Sequence, residues 1–428
     1  MFADRILPFA FATADLGCRN QILGAFRAIN ELTGEAPRPE DSFVLPKGSE
    51  AYDDIKIPLI RSNFRTYKDF KDEIFACLDA FLLKASVVPC VFITVYNPTE
   101  SAQPAENADA LCRAVKEYYA ERGLGVVMTV ILAARYHKYK YIDLINIPKH
   151  LMTFALRIRL LQHKKLRKKV LITIGTINNF SNAGVKEAFK ALQKKLEHLK
   201  TDSELAGLVD KFERYRDKKK HVVFCLGGRV EGSEIVFDMT YAQQLLSDAK
   251  HLAAAGYGVV FVNGPRTPNN VTDYLFEKAA QLPDIIFQNS KKIASSDDER
   301  TPAHWRIYSG QNEAAFRTLA KLGNVYPGVL GWPNTLVVHT MDSYSGCETA
   351  GAAIPTAISK KGLWIDPVAR YDCHNLEQLL CPRYAIDFDE FVNLACNMKV
   401  EPKNLHPQVL SSPLHVFAET IINRLNKM

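Results

Sequence analysis

"TLVVHTMDSYSGCETAGAAIPTAIS" runs from Thr335 to Ser359, and the fold turns on how it is read. Apolar, β-like runs stand at either end, Thr335–His339 and Ile354–Ile358. Between them lie small and polar residues, with Asp342, Ser343 and Ser345 as candidate helix caps. Strand, helix and strand in that order is the building unit of a parallel α/β sheet. One acid, Glu348, falls in what would be the first turn of the helix, where the dipole favours negative charge. Its neighbours are Ser, Gly, Cys and Ala. Two readings stay open: a capping carboxylate, or an acceptor for two adjacent hydroxyls such as a ribose diol, with the small neighbours leaving room for the ligand.

The same alternation extends through the chain. Strands are expected at Ile6–Thr13, Val88–Val95, Gly125–Leu132, Tyr141–Ile147 and Val170–Ile174, then at His221–Leu226, Gly258–Asn263, Asp284–Gln288, Thr335–Thr340 and Ile354–Ile358, with helical patterns between them. That makes two mostly parallel sheets of similar size. At 428 residues the chain exceeds what one core usually serves, so two domains are expected. The polar stretch Thr201–Lys220 reads as a helix leading into the boundary. The expected division is 1–215, 216–405 and a C-terminal helix in 406–428 that crosses back to the first domain.

Hydrophobic residues make up 47% and charged residues 24% of the chain, a globular composition. Nine scattered cysteines without a C-x-x-C pair suit reduced thiols in a cytoplasmic setting, and the spacing holds no metal-site pattern. No window has the apolar length of a membrane span. The net charge of +7 is local: Lys149–Lys220 holds 19 Lys/Arg against 7 Asp/Glu. Such a surface attracts phosphate on a lipid, a nucleic acid or a small substrate. Residues 150–169 mix apolar side chains with a cationic end. They read as a segment for an anionic membrane surface, or as a core-packed helix with a solvated basic end. Nucleic acid is not an expected partner, because no recognised motif accompanies the charge.

In an open parallel sheet, ligands bind outside the carboxyl ends of the strands. Gly227 and Gly228 follow the strand His221–Leu226 and suit a phosphate loop or a plain tight turn. Arg266, between two prolines, opens a helix that Asn269, Asn270 or Thr272 would cap. It suits an anion, or faces solvent. In the first half, Gly17, Asn20 and Gln21 follow one strand and Gly175, Thr176 and Asn178 another, as ligand contacts or turn residues. His150, at a strand end beside Lys149, is a candidate base or a structural histidine.

Taken together, these pieces resemble the Elm-type mitochondrial fission family, whose bacterial members are related to sugar-nucleotide glycosyltransferases of the GT-B fold. The resemblance is carried by "GCRNQILGAFRAI", "YIDLINIPKH", "VLITIGTINNFS", "VVFCLGG", "NGPRTP" and "GNVYPGVLGWPNTLVVHTMDSYSGCETAGAAIP", in that order. It implies an α/β, GT-B-like fold of two Rossmann-type domains with a cleft between them. It implies a metal-independent transfer of a sugar from a nucleotide-diphosphate-sugar to an unknown lipid-linked or envelope acceptor, with that donor as substrate and no other cofactor. The alternative it leaves is a GT-B-fold interaction protein without chemistry, acting in membrane or organelle morphology. It assigns Glu348 to the ribose, and Gly227, Gly228, Arg229, Arg266, Thr267, Asp342, Ser343 and Ser345 to the donor pocket. It assigns Gly17, Asn20, Gln21, Gly175, Thr176 and Asn178 to the acceptor side, and His150 and Asp15 to catalysis. Localisation would be cytoplasmic, with peripheral attachment to the membrane face.

Overall fold

The computed structural model describes residues 6–11, 16–34, 67–83, 87–96, 103–135, 137–228, 235–264, 266–293, 307–322, 325–341, 345–360, 364–365, 375–381, 383–397, 401–405, 408–410 and 413–428. The chain divides into two compact units, residues 1–179 with 411–428, and residues 180–410. Each is built on its own parallel sheet.

The first unit orders its strands β1 (Pro8–Phe9), β2 (Val91–Val95), β3 (Met128–Leu132), β4 (Leu144–Pro148) and β5 (Val170–Thr173), all parallel. Strands covered on both faces read as unbroken apolar runs, and β2 shows why. Val91, Ile93 and Val95 enter one core layer with Ile22, Ala25 and Phe26 of the helix Leu16–Thr33. The same layer receives Phe417, Ile421 and Leu425, spaced i, i+4, i+8 on the C-terminal helix Pro413–Leu425. Phe92 turns to the other side, where Phe9 sits among Phe81, Phe92 and Tyr119. Arg424 ties the last helix down by donating to the carbonyls of Asp143 at 2.9 Å and Lys168 at 2.5 Å.

The main sheet of the second unit has six parallel strands: β6 (Lys220–Leu226), β7 (Tyr257–Asn263), β8 (Ile285–Gln288), β9 (Thr335–Thr340), β10 (Thr356–Ser359) and β11 (Ile386–Asp387). Across the sheet they run β11-β10-β9-β6-β7-β8. Counted within the unit and read from the β8 edge, this is 3-2-1-4-5-6, the doubly wound order, with the reversal between β6 and β9. Val222, Phe224 and Leu226 face a layer that includes Leu245, Leu275 and Phe391. Val223 faces the opposite layer, with Val185, Leu192, Val209 and Phe212. Period-two alternation on β6 therefore feeds both helix layers.

The α/β class with two Rossmann-type domains, expected from the sequence, is what the structure has. Most strands lie within three residues of their expected ends, although the first shrinks to Pro8–Phe9 and β11 had no apolar run to announce it. The boundary lies elsewhere than residue 215. Helices Asn182–His198 and Ala206–Arg216 pack in the second unit, where Phe189, Phe212 and Tyr215 surround Trp332 with ring centroids 5.0, 6.1 and 5.2 Å away. The charge of 201–220 marks only the solvent side of a helix whose other face is core.

Phe417 is 0% exposed, so Phe417→Ala is expected to cost about 3–5 kcal/mol of unfolding free energy in urea, the usual loss for a buried aromatic. A loss near zero would remove the C-terminal helix from that core.

Candidate functional site

Reversal of strand order leaves a crevice at the carboxyl ends of the two flanking strands, because the loops that leave them diverge. Those strands are β6 and β9, in register from Thr335 beside His221 to His339 beside Cys225. Their exits are tied together: the Gly227 N–H donates to the Thr340 hydroxyl at 2.9 Å.

Gly228 has φ of +151°, and a Cβ there would collide with the Arg266 carbonyl and the Thr267 nitrogen. Glycine is required for this approach. Thr267, 0% exposed, laces the two loops. Its hydroxyl donates to the Gly227 carbonyl at 2.7 Å and accepts from the Gly264 N–H at 2.9 Å. The half-buried Arg266 reaches back over the glycines, with Nη1 3.5 Å from the Gly228 carbonyl. Beyond it the helix Asn269–Ala280 begins with Pro268 at the N-cap, so Asn269, Asn270 and Thr272, the expected caps, lie inside the helix. The loop runs straight into the helix because proline presets φ and Thr267 closes the turn behind it.

Lys291, which the sequence reading missed, comes in from the loop after β8. It is 5% exposed, and its ammonium donates to the Thr267 carbonyl at 2.9 Å and to Asn269 Oδ1 at 2.6 Å. Burial lowers it from 10.5 to about 8, opposed by the Asp273 carboxylate. A buried cation at a helix N-terminus adds to the positive end of the dipole. In "NSKKIA" it is one of two adjacent lysines, and nothing in the pattern marks it.

On the other side of β6, the helix Ser345–Gly351 carries Glu348 in its first turn. The half-buried carboxylate is felt by Cys225 of β6, by Tyr326 and by Cys347, which sets it against the inner wall. Burial raises it from 4.5 to about 7. Among the described residues it makes no capping bond and no other hydrogen bond. The helix is pinned from below: Thr349 Oγ1 lies 3.1 Å from His339 Nε2 and accepts from the Thr356 hydroxyl at 2.8 Å. His339, fully buried, is pushed down to about 3 and stays neutral. Ser345 is half-buried at the head of this helix.

In the first unit, Gly17 lies in the first turn of Leu16–Thr33, Asn20 is exposed and Gln21 half-buried. Buried Gln21 Oε1 has no hydrogen-bond partner among the described residues. The same helix meets the second expected loop, for a Cβ on Gly24 would strike the backbone of Asn178. Gly175 accepts from the Thr173 hydroxyl at 2.9 Å, and the Asn178 amide donates to the Thr176 carbonyl at 3.0 Å. His150 sits in the turn Lys149–Leu151, 1% exposed. Burial, with Arg135 nearby, lowers it to about 4, so the ring is neutral at pH 7. Asp15, Arg229, Asp342 and Ser343 lie outside the described residues. Among the described residues, no group of three His, Cys, Asp or Glu is placed to hold a metal ion.

The family model for mitochondrial fission ELM1 matches residues 107–298, so the resemblance read in the sequence is shown over that stretch. It takes in His150, Gly227, Gly228 and Arg266. A comparison with curated protein sequences found no match. Among solved structures, the chain is similar to a UDP-GlcNAc 2-epimerase from Neisseria meningitidis bound to UDP-GlcNAc, at 12% identity and a TM-score of 0.45, covering 99% of this chain and 100% of that one. It is similar to MurG from Acinetobacter baumannii at 11% identity and a TM-score of 0.40, again covering 99% and 100%.

Thr267→Val keeps the shape but leaves the buried Gly227 carbonyl and Gly264 N–H without their partner. The expected loss is about 1–3 kcal/mol in urea unfolding. For Glu348 the sign is set by a folded pKa above the unfolded one. The folded state then holds the extra proton, and stability falls as pH rises from 4.5 to about 7. Glu348→Gln is therefore expected to match the wild type at acid pH and to exceed it in stability at pH 8. A wild type more stable than the variant at pH 8 would mean that the anion has a stabilising partner in the fold.

Proposed function

We propose that the protein is a glycosyltransferase-like enzyme that binds a nucleotide-diphosphate-sugar at the strand reversal of its second unit. The sugar would pass to a lipid-linked or envelope acceptor at the cytoplasmic face of a membrane. Glu348 carries the reading. A carboxylate only accepts hydrogen bonds, and this one is desolvated with no donor among the described residues and its pKa raised to about 7. Such a group lowers the stability of the empty fold. A vicinal diol supplies the two donors it lacks.

The other side of β6 supplies what a diphosphate needs. Gly227 and Gly228 offer backbone approach, Arg266 a planar cation, and the start of Asn269–Ala280 a positive dipole reinforced by Lys291. These groups would oppose the charge that builds on the leaving diphosphate, and this reading needs no metal. The role of His150 as a proton acceptor rests on its place at a strand end and that of Asp15 on the family resemblance.

UDP, ADP and GDP are each added to the protein and the melting temperature is followed. At a hundredfold excess over Kd the expected stabilisation is about 2.7 kcal/mol, a rise of roughly 5 °C or more for one of the three. Glu348→Ala should abolish that rise. No shift with any nucleotide would refute the reading, and a shift without turnover on any acceptor would assign the protein to the interaction class.

A further inference from the structure

The helix Phe154–Gln162 has two apolar edges in different surroundings. Leu156 and Leu160 are buried, 2% and 7% exposed, whereas Phe154, Ile158 and Leu161 are 72%, 38% and 76% exposed. With 3.6 residues per turn the exposed three fall within about 60° of arc, opposite the buried pair. They form one ridge. The Thr153 hydroxyl accepts from the Leu156 N–H at 3.2 Å, so the ridge begins on a capped, ordered first turn. After His163 comes Lys164–Lys169, a helix with no buried residue. Between Phe154 and Lys169 there are seven Lys/Arg and no acid, and the next acid along the chain is Glu187.

Three large apolar side chains in a row on a surface are unusual, and a cationic border narrows what covers them. A second copy would bring two such cationic faces together and be repelled. A nucleic acid duplex would use the cations but leave Phe154, Ile158 and Leu161 against water. A bilayer with anionic headgroups satisfies both sets. We propose that this face docks on an anionic lipid surface, with Phe154, Ile158 and Leu161 entering the boundary between headgroups and acyl chains. Arg157, Lys164, Lys165, Arg167 and Lys168 meet the lipid phosphates. The surface lies wholly in the first unit and deepens the membrane-side reading above without resting on the donor site. Glu348→Ala leaves it intact, so either can fail alone.

The test is co-sedimentation of the full chain with phosphatidylcholine vesicles, with and without phosphatidylglycerol, at low and high salt. The expected result is binding only to the anionic vesicles, weakened by salt. Lys164→Gln with Lys168→Gln should lower the affinity about thirtyfold, near 1 kcal/mol for each cation. Phe154→Ser with Leu161→Ser should lower it about tenfold or more while every cation remains. These side chains are exposed, so an unchanged melting temperature shows that the variants are folded. Absence of binding to anionic vesicles overturns the proposal. So does an apolar double variant that binds vesicles as well as the wild type and is displaced by duplex DNA, which would mark a general polyanion surface. A wild-type dimer that the same variant converts to a monomer would make the ridge a contact between copies, and would equally overturn it.

Discussion

The second unit depends on the parallel pairing of β6 with β9. Residues 221–225 and 335–339 are far apart in sequence, yet they lie edge to edge, and from that line the sheet winds outward in both directions. A parallel pair needs a long crossover, so the chain must leave β6 in one direction and β9 in the other. The Gly227 bond to Thr340 closes the line where the two exits part. The glycine loop, the Arg266 loop and the Glu348 helix all start from the ends of these strands or of their neighbour β7.

The polar groups at that line are divided by sign. Arg266 and Lys291 gather after β7 and β8, while among the described residues the loop and helix after β9 carry one charged group, Glu348. Both groups are shifted toward neutrality, Lys291 to about 8 and Glu348 to about 7, and in each case desolvation is the main cause. Joined directly, they would form an ion pair and lose their shifts. Held apart, the Glu348 carboxylate keeps an unmet demand for hydroxyl donors, and the Lys291 ammonium, bonded to the Thr267 carbonyl and Asn269 Oδ1, keeps a positive charge that favours an anion. A fold that tolerates such groups has given up stability at that place, the pattern expected of binding sites.

The first unit puts its polar residues to different uses. Asn146, Thr173 and Thr176 are buried and serve the sheet ends, with Asn146 donating to the Thr173 hydroxyl at 2.9 Å. His150 is equally buried. What this unit offers outward is the ridge and its cationic border, on a helix of nine residues anchored by two leucines. The +7 of the chain is therefore a local feature with an apolar neighbour and not a diffuse excess.

Most of the strands were legible in the sequence because doubly covered strands are uniformly apolar and glycine, proline and asparagine punctuate them. Gly227, Gly228 and Arg266 were legible as a loop type, since close backbone approach needs glycine and an anion suits arginine. Lys291 was not, because only the path of the chain after β8 buries it beneath Thr267. Nor was the boundary between the units: the apolar stripe of Ala206–Arg216 is interrupted by charge on its outer face, and which sheet it packs on depends on Trp332, more than a hundred residues later. The sequence by itself determined the elements and their class, since propensity and period act over a few neighbouring residues. The tertiary structure alone decided which carboxylate has no donor among the described residues and which apolar stripe is exposed, because desolvation is a property of everything packed around an atom.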